Sequence, residues 1–249
     1  MQRFTLFKTH SARNRPFAAH FRKAVPGMTV HKDFVRPDAA TVEALRAQSP
    51  ATLHEAMGKK GAMGHAIKPL FPGMRLCGPA LTVSCGPTDN LMIHIAVALA
   101  KPGDILVVDF KGMTDAGPWG DVLTASAIAR GLGGLVIDGC VRDAAAIRDM
   151  GFPVFCRGTN MKGTNKTDAK GDVNTTIVCG GVMVSAGDIV VADDDGVVVV
   201  PQALAADTLE KAATREAAEE AYRHKLEAGE TTIELLNLKP YLDAAGITL

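Results

Sequence analysis

The sequence predicts an α/β fold in a single domain, and three observations predict it. Between Leu76 and Cys156, short apolar runs alternate with stretches of helical period. One of these runs, Leu135-Val136-Ile137, is continuously apolar and bounded by turn residues, the pattern of a strand buried on both faces. The chain has 249 residues, 47% hydrophobic and 22% charged, which is enough for one sizeable core.

Residues 1–27 stand apart. Arg3, Lys8, Arg13, Arg15, Arg22 and Lys23 precede the first acidic residue, Asp33, with no sustained apolar period beside them. Three readings fit this stretch: a mobile basic arm, an Arg-rich transit peptide, and an upstream extension of a gene whose working start is Met28. The folded domain is expected over residues 28–249, its C-terminal helix included.

Asp38 can cap a helix running to about Ala47, and Ser49-Pro50 opens a second over Thr52 to Met57. Gly58, Gly61 and Gly64 mark a loop. Leu76 to Ser84 reads as a strand, and Gly86-Pro87-Thr88-Asp89 breaks the chain and caps a helix over Asn90 to Leu99. After the turn Lys101-Pro102-Gly103-Asp104 comes a strand, Ile105 to Asp109, then a loop from Lys111 to Pro118.

The chain is organised around Pro118 to Gly151. A helix is predicted from about Trp119, with Val122, Ala125, Ala129 and Leu132 as a small face turned to a sheet. A strand over Gly134 to Ile137 follows, then a turn at Asp138-Gly139 and a helix opening near Asp143. Ligands of such units gather beyond the carboxyl ends of the strands. That edge is predicted to carry Asp138, Arg142 and Asp143.

Phe152 to Cys156 gives a further strand. Arg157 to Asn174 is polar and Gly-rich, too long for a plain connector, and reads as a lid or a subunit contact. Val182 to Val184, Ile189 to Val191 and Val197 to Val200 are short strands, and a helix from about Ala203 to Ala228 ends at Gly229.

The formal net charge is zero, so the chain has no global field for capturing nucleic acid or an anionic membrane. No apolar run approaches the roughly 20 residues a membrane helix needs. The five cysteines include no Cys-x-x-Cys pair and read as reduced thiols of a cytoplasmic protein. No Gly-rich nucleotide-binding turn follows an early strand, so a methyltransferase finds no support.

The strongest constellation is Asp121 with Arg142-Asp143. A helix amino terminus over Gly120, Asp121, Val122 and Leu123 can hold a carboxylate or phosphate, Arg142 adds a fork for the same group, and Asp143 offers a hard oxygen ligand. Two readings fit this spacing: a divalent-ion site for a small oxo acid, and two helix-start carboxylates beside a surface arginine. Asp193-Asp194-Asp195-Gly196 between valine-rich strands reads as a hairpin turn rather than a metal site. His94, in an apolar helix, reads as a satisfied core histidine. Lys162 and Lys166 read as solvated lysines or as contacts to a polyanion. Glu216, Glu219 and Glu220 read as a wet helix face with Arg215 and Arg223 as partners.

Gly120-Asp121-Val122-Leu123, the run Val136-Ile137-Asp138-Gly139 leading to Arg142-Asp143, and the Asp-Asp-Gly hairpin before Pro201 together resemble the RraA-like family. Pro87-Thr88-Asp89-Asn90 and Met92-Ile93-His94 resemble its metal-dependent branch, the 4-hydroxy-4-methyl-2-oxoglutarate and 4-carboxy-4-hydroxy-2-oxoadipate aldolases. The likeness runs from about Met28 to the C-terminal helix. It implies a phosphohistidine-domain-like swivelling β/β/α fold, assembled as homotrimers or homohexamers with sites between subunits.

The resemblance also implies roles. Asp143 matches a metal ligand for magnesium or manganese, Arg142 the residue holding the pyruvyl end of an oxo-acid substrate, and Asp121 the acid orienting a metal-bound water. Gly120 to Leu123 matches the substrate cradle. A glutamate from a neighbouring subunit's C-terminal region is implied too, without assignment among Glu216, Glu219 and Glu220. The implied activity is aldol cleavage to pyruvate with oxaloacetate decarboxylation; the alternative is a non-catalytic regulator of RNase E, a class that typically lacks the metal aspartate.

Overall fold

The computed structural model describes residues 28–167 and 170–248. The basic segment 1–27 lies outside the described residues. The chain enters through β1 (Met28–Val30), and α1 (Ala39–Arg46) starts where Asp38 accepts from Thr41 N at 2.8 Å. α2 (Pro50–Ala56) starts at Ser49, whose Oγ accepts from Thr52 N at 3.0 Å. Both caps are those the sequence indicates, and proline takes the first position of α2, where its missing N–H costs nothing.

After the edge strand β2 (Lys68–Pro69) the chain builds its centre: β3 (Leu76–Cys85), α3 (Leu91–Leu99), β4 (Ile105–Met113), α4 (Asp121–Ala129), β5 (Gly134–Val141), α5 (Ala144–Asp149) and β6 (Val154–Cys156). Strands β3, β4, β5 and β6 lie side by side and parallel, with β2 antiparallel at the outer edge of β6. The short β7 (Gly158–Thr159) runs beside the end of β5, and β8 (Gly171–Val173) pairs with both β3 and β1. β9 (Ile177–Cys179) and β10 (Val182–Val184) form a separate hairpin, and β11 (Ile189–Asp193) and β12 (Gly196–Val200) form another, with β11 antiparallel to the start of β3.

Both faces of the parallel sheet are covered, which explains the uninterrupted apolar runs. Leu106, Val108, Leu135 and Ile137 face α3 to α5 and meet Met92, Ile93, Leu123, Ala127 and Ile147. The alternate residues Ile105, Val107 and Val136 face the hairpins and meet Val190, Val197, Val199 and Cys179. The outer face of β11 and β12 is closed by α1, α2 and the long α6 (Ala205–Glu227), through Leu45, Leu53, Val191, Val198, Val200 and Ala212. These layers are the mixed α/β single domain the sequence predicts.

Three expectations need correction. β5 runs through the predicted turn at Asp138-Gly139 and ends at Val141. Gly139 serves close packing instead, since a Cβ there would stand 3.0 Å from Phe110 Cβ, and the real turn is at Arg142-Asp143, where Asp143 takes a left-handed φ of 57°. The predicted inner face of α4 is also out of phase: Leu123, Thr124 and Ala127 are buried, while Val122 is 74% exposed and Ala125 and Ala129 are exposed. Alanine reads as apolar on every side of a helix, so the phase is set by Leu123 and by the Trp119–Thr124 hydrogen bond.

Finally, β1, β2, β7, β8, β9, α7 (Thr232–Leu235) and α8 (Lys239–Ala244) were not foreseen. α7 carries a capping box between Thr231 and Glu234. The aspartate run is a turn, as expected: Asp193 Oδ1 accepts from Asp195 N at 3.0 Å, and Asp194 Oδ1 from Gly73 N at 2.8 Å.

Candidate functional site

The loops leaving β4 and β5 meet over the carboxyl ends of the parallel strands, and Trp119 anchors them. Its ring is fully buried, stacks on Phe152 at 6.1 Å, and donates through Nε1 to Thr124 Oγ1 at 2.7 Å. Thr124 Oγ1 in turn donates to Gly120 O at 2.9 Å, and Arg142 N donates to Trp119 O at 2.8 Å. The start of α4 and the turn after β5 are thereby held against each other.

Between them stands Gly120. A Cβ there would overlap Asp143 Oδ2 and lie 3.0 Å from Arg142 Nε, so glycine leaves that space to these two side chains. Asp143 precedes α5, yet its side chain makes no cap bond to that helix. It reaches across to α4 instead, where Oδ2 accepts from Asp121 N at 3.3 Å and lies 3.5 Å from Arg142 Nε. A left-handed conformation for an aspartate costs about 1–2 kcal/mol, and here it directs the carboxylate toward the α4 terminus.

Asp121 behaves more plainly. Its Oδ1 accepts from Val122 N at 2.7 Å, a local contact on its own helix. Leu123 is buried and so presents backbone rather than side chain, while the Val122 side chain points outward. The Arg142 and Asp143 side chains are 43% and 39% exposed, open to a small ligand. Together the group offers the positive end of α4, two of whose first-turn N–H groups already meet carboxylates, with a guanidinium and a carboxylate around one point.

Asp138, predicted at this edge, points to the opposite face of the sheet. Its carboxylate pairs with Arg157 Nε and accepts from Gly180 N at 3.0 Å, tying the β9–β10 turn to the sheet. On the same face Lys111 pairs with Asp109 and donates to Ser84 Oγ at 3.0 Å. Period-two alternation along β5 puts Asp138 and Ile137 on different faces, which the predicted turn concealed.

The polar segment after β7 is a strap across the site. Asn160 Nδ2 donates to Thr114 O at 2.8 Å, Gly117 N to Lys162 O at 2.8 Å, and Asn165 N to Thr88 O at 2.8 Å. Lys162 pairs with Asp115, and Lys166 is exposed. Beneath the strap, Asn90 Nδ2 donates to Pro118 O at 2.7 Å. His94 is not the satisfied core histidine expected: its Nε2 is buried without a hydrogen-bond partner among the described residues, and burial, with Lys166 nearby, pushes its pKa down. The signal available in the sequence was the four-residue spacing of Asn90 and His94 at a helix start.

Among the described residues no three His, Cys, Asp or Glu side chains come together as a metal centre. Glu219 pairs with Arg215, and Glu220 with Arg223 and His224, on α6. The hairpin layer separates α6 from α4 within one chain. All five cysteines are buried and free, and no described helix is long and apolar enough to cross a membrane.

Several known proteins resemble this chain. A Halalkalibacterium halodurans protein named "Putative 4-hydroxy-4-methyl-2-oxoglutarate aldolase" is 41% identical over 155 residues, 62% of this chain and 73% of that protein. The crystal structure of Streptomyces coelicolor RraAS2, described as an unusual member of the RNase ES inhibitor RraA protein family, is 32% identical with a TM-score of 0.70, covering 77% of this chain and 99% of that one. A Geobacillus kaustophilus structure bearing the name S-adenosylmethionine: 2-dimethylmenaquinone methyltransferase is 33% identical with a TM-score of 0.57, covering 61% and 94%. The three names differ in function while the fold is shared, so function has to be argued from the site. The family model RraA-like (Aldolase/RraA) matches residues 50–199, well over half of the sequence, and the chain belongs to that family.

Proposed function

We propose that the chain is a divalent-metal-dependent carbon–carbon lyase. It releases pyruvate from 4-carboxy-4-hydroxy-2-oxoadipate or 4-hydroxy-4-methyl-2-oxoglutarate and decarboxylates oxaloacetate. The observation that carries the reading is the meeting of the Asp143 carboxylate, the Arg142 guanidinium and the α4 amino terminus around a glycine with no room for a side chain.

The donor set fits magnesium or manganese held weakly. Asp143 Oδ2 lies 3.3 and 3.5 Å from its neighbours, long contacts that leave the carboxylate able to take a hard cation. Magnesium commonly binds one or two protein carboxylates and fills its other positions with water and substrate oxygens. A bound ion would supply the electrophile that takes up enolate charge.

The chain's own residues do the rest. Arg142 pairs with the carboxylate and oxo group of the pyruvyl end, and the amino terminus of α4 at Gly120 to Leu123 attracts the same end by its partial positive charge. Breaking the bond between C3 and C4 leaves its electron pair on C3 as the enolate of pyruvate, beside Arg142. The proton lost from the C4 hydroxyl returns to C3 through water oriented by Asp121, whose Oδ1 is fixed on Val122 N. Loss of carbon dioxide from oxaloacetate leaves the same enolate.

The exposed Val122, Ala125 and Ile128 beside the site support assembly into a homotrimer or homohexamer. A glutamate of another copy's α6 would complete the ligands. The test is pyruvate release from both substrates with magnesium or manganese, its loss with chelator, and its loss in Asp143→Ala. Full activity in that variant overturns the reading. The similarity to RraAS2 favours a second reading, a non-catalytic partner of an RNase; inhibition of such an enzyme by a protein that turns over no oxo acid would establish it.

A further inference from the structure

We propose that the hairpin side of the sheet carries a second binding site, for a small α-amino acid with an apolar side chain. The site lies on the face to which Asp138 points, opposite the helices, and stands whatever reaction the other face carries.

Strand register builds it. Asp172 in β8 is the partner of Ser84 in β3, and Ser84 is the partner of Asp109 in β4. Partners across neighbouring strands share a face and stand about 4.8 Å apart, so the three side chains form a row at the carboxyl ends of β3 and β4. The residues that alternate with them, Val83, Val108 and Val173, pack into the helix-covered core, which turns the row the other way. β4 then kinks: its register shifts after Val108, and Lys111 and Gly112 take left-handed φ values of 60° and 69°. Lysine rarely adopts that conformation. Here it folds Lys111 back over the row, where Nζ pairs with Asp109 and donates to Ser84 Oγ at 3.0 Å.

A cavity of about 370 Å³ opens over the row, with Val178 and Met183 of the β9–β10 hairpin also lining it. These two are direct cross-strand partners, and both are exposed. Charge along the strand ends is balanced except at one place. Lys111 offsets Asp109 and Arg157 offsets Asp138, whereas Asp172 has no ion pair among the described residues. Its Oδ1 accepts from Thr29 N at 2.8 Å, which leaves Oδ2 available. Beside it two donors remain. An ammonium has three N–H groups, of which Lys111 uses two, and the Ser84 hydroxyl accepts from Lys111 and keeps its own hydrogen.

The cavity therefore presents donors at Lys111 and Ser84, an uncompensated carboxylate at Asp172, and an apolar wall. A simple cation would meet the Lys111 ammonium, and a simple anion would meet Asp172. A zwitterion satisfies both ends: its carboxylate accepts from Lys111 and Ser84, and its ammonium donates to Asp172 Oδ2. One strand separation lets the two groups sit on a single carbon, and the side chain of that carbon then covers Val178 and Met183.

Calorimetry on the full chain tests this with L-leucine, with 3-methylbutan-1-amine, which lacks the carboxylate, and with 4-methylpentanoate, which lacks the ammonium. Leucine should bind with a dissociation constant of about 1 mM or below, and each analogue about tenfold more weakly, the worth of one charged hydrogen bond. Asp172→Asn keeps the Oδ1 acceptor for Thr29 N and removes the charge. It should bind leucine about tenfold more weakly and 4-methylpentanoate as the wild type does. Met183→Ser should bring the affinity for leucine down toward that for glycine. No leucine binding at about 10 mM, or binding unchanged in Asp172→Asn, overturns the site. Should the asparagine variant not fold, unchanged leucine binding in Met183→Ser overturns it equally. If the amine binds as tightly as leucine, the cavity takes cations only and the amino-acid assignment is overturned.

Discussion

Asp143 Oδ2 occupies the space into which a side chain on Gly120 would grow, and Arg142 Nε lies 3.0 Å from the same point. Two loops from different strands therefore close on one another across a single missing methyl group. The reactive groups are positioned by packing against backbone rather than by long, flexible side-chain contacts.

Gly120→Ala follows from that relationship. The backbone at residue 120 is extended, with φ −152°, so alanine is unstrained there and the added methyl acts only on Asp143 and Arg142. Pyruvate release should fall about 100-fold, the cost of misplacing a reacting group by about an ångström, with the thermal unfolding midpoint nearly unchanged. A steady-state assay beside a thermal melt checks it, and wild-type turnover would count against the site.

Arg142→Lys keeps the charge and removes the planar fork. Lysine cannot pair two oxygens of an oxo acid at once, so turnover should drop by about 10- to 100-fold with the fold intact. An equal rate in the two proteins would show that Arg142 acts as a point charge or not at all.

Arg36→Ala tests the frame. Arg36 donates to both oxygens of the fully buried Asp104, through Nε at 2.8 Å and Nη2 at 2.7 Å. Removing it leaves a buried carboxylate without its counter-charge, and a loss of about 3–5 kcal/mol is expected in urea denaturation.

The buried thiols predict a pH dependence. Burial pushes Cys77 and Cys156 up to about 11 and Cys85 up to about 12, from an ordinary value of 9.0. A raised pKa adds stability that is complete below the unfolded value and is lost as pH climbs through the folded one. Stability should therefore decline between about pH 8.5 and 12, and the native protein at pH 8 should leave a disulfide reagent unreacted until denaturant is added.

Much of this was legible along the chain. The caps at Asp38 and Ser49, the Asp-Gly hairpin, the buried strands and the adjacency of Arg142 to Asp143 are local features, governed by backbone propensity and by side chains a few residues apart. The turn expected at Asp138 was misplaced because an aspartate followed by glycine normally turns the chain. The partners that keep Asp138 in a strand, Arg157 and Gly180, come from distant segments.

The sequence by itself determined the alternation of strands and helices and the placing of a guanidinium beside a carboxylate at one strand end, because period and spacing are properties of neighbouring residues. Only the tertiary structure decided that Asp143 turns away from its own helix toward α4, that Val122 faces outward, and that Asn90 Oδ1 and His94 Nε2 are buried without a hydrogen-bond partner among the described residues. Each of these depends on what a distant segment places beside the residue, and packing of that kind leaves no periodic trace in the chain.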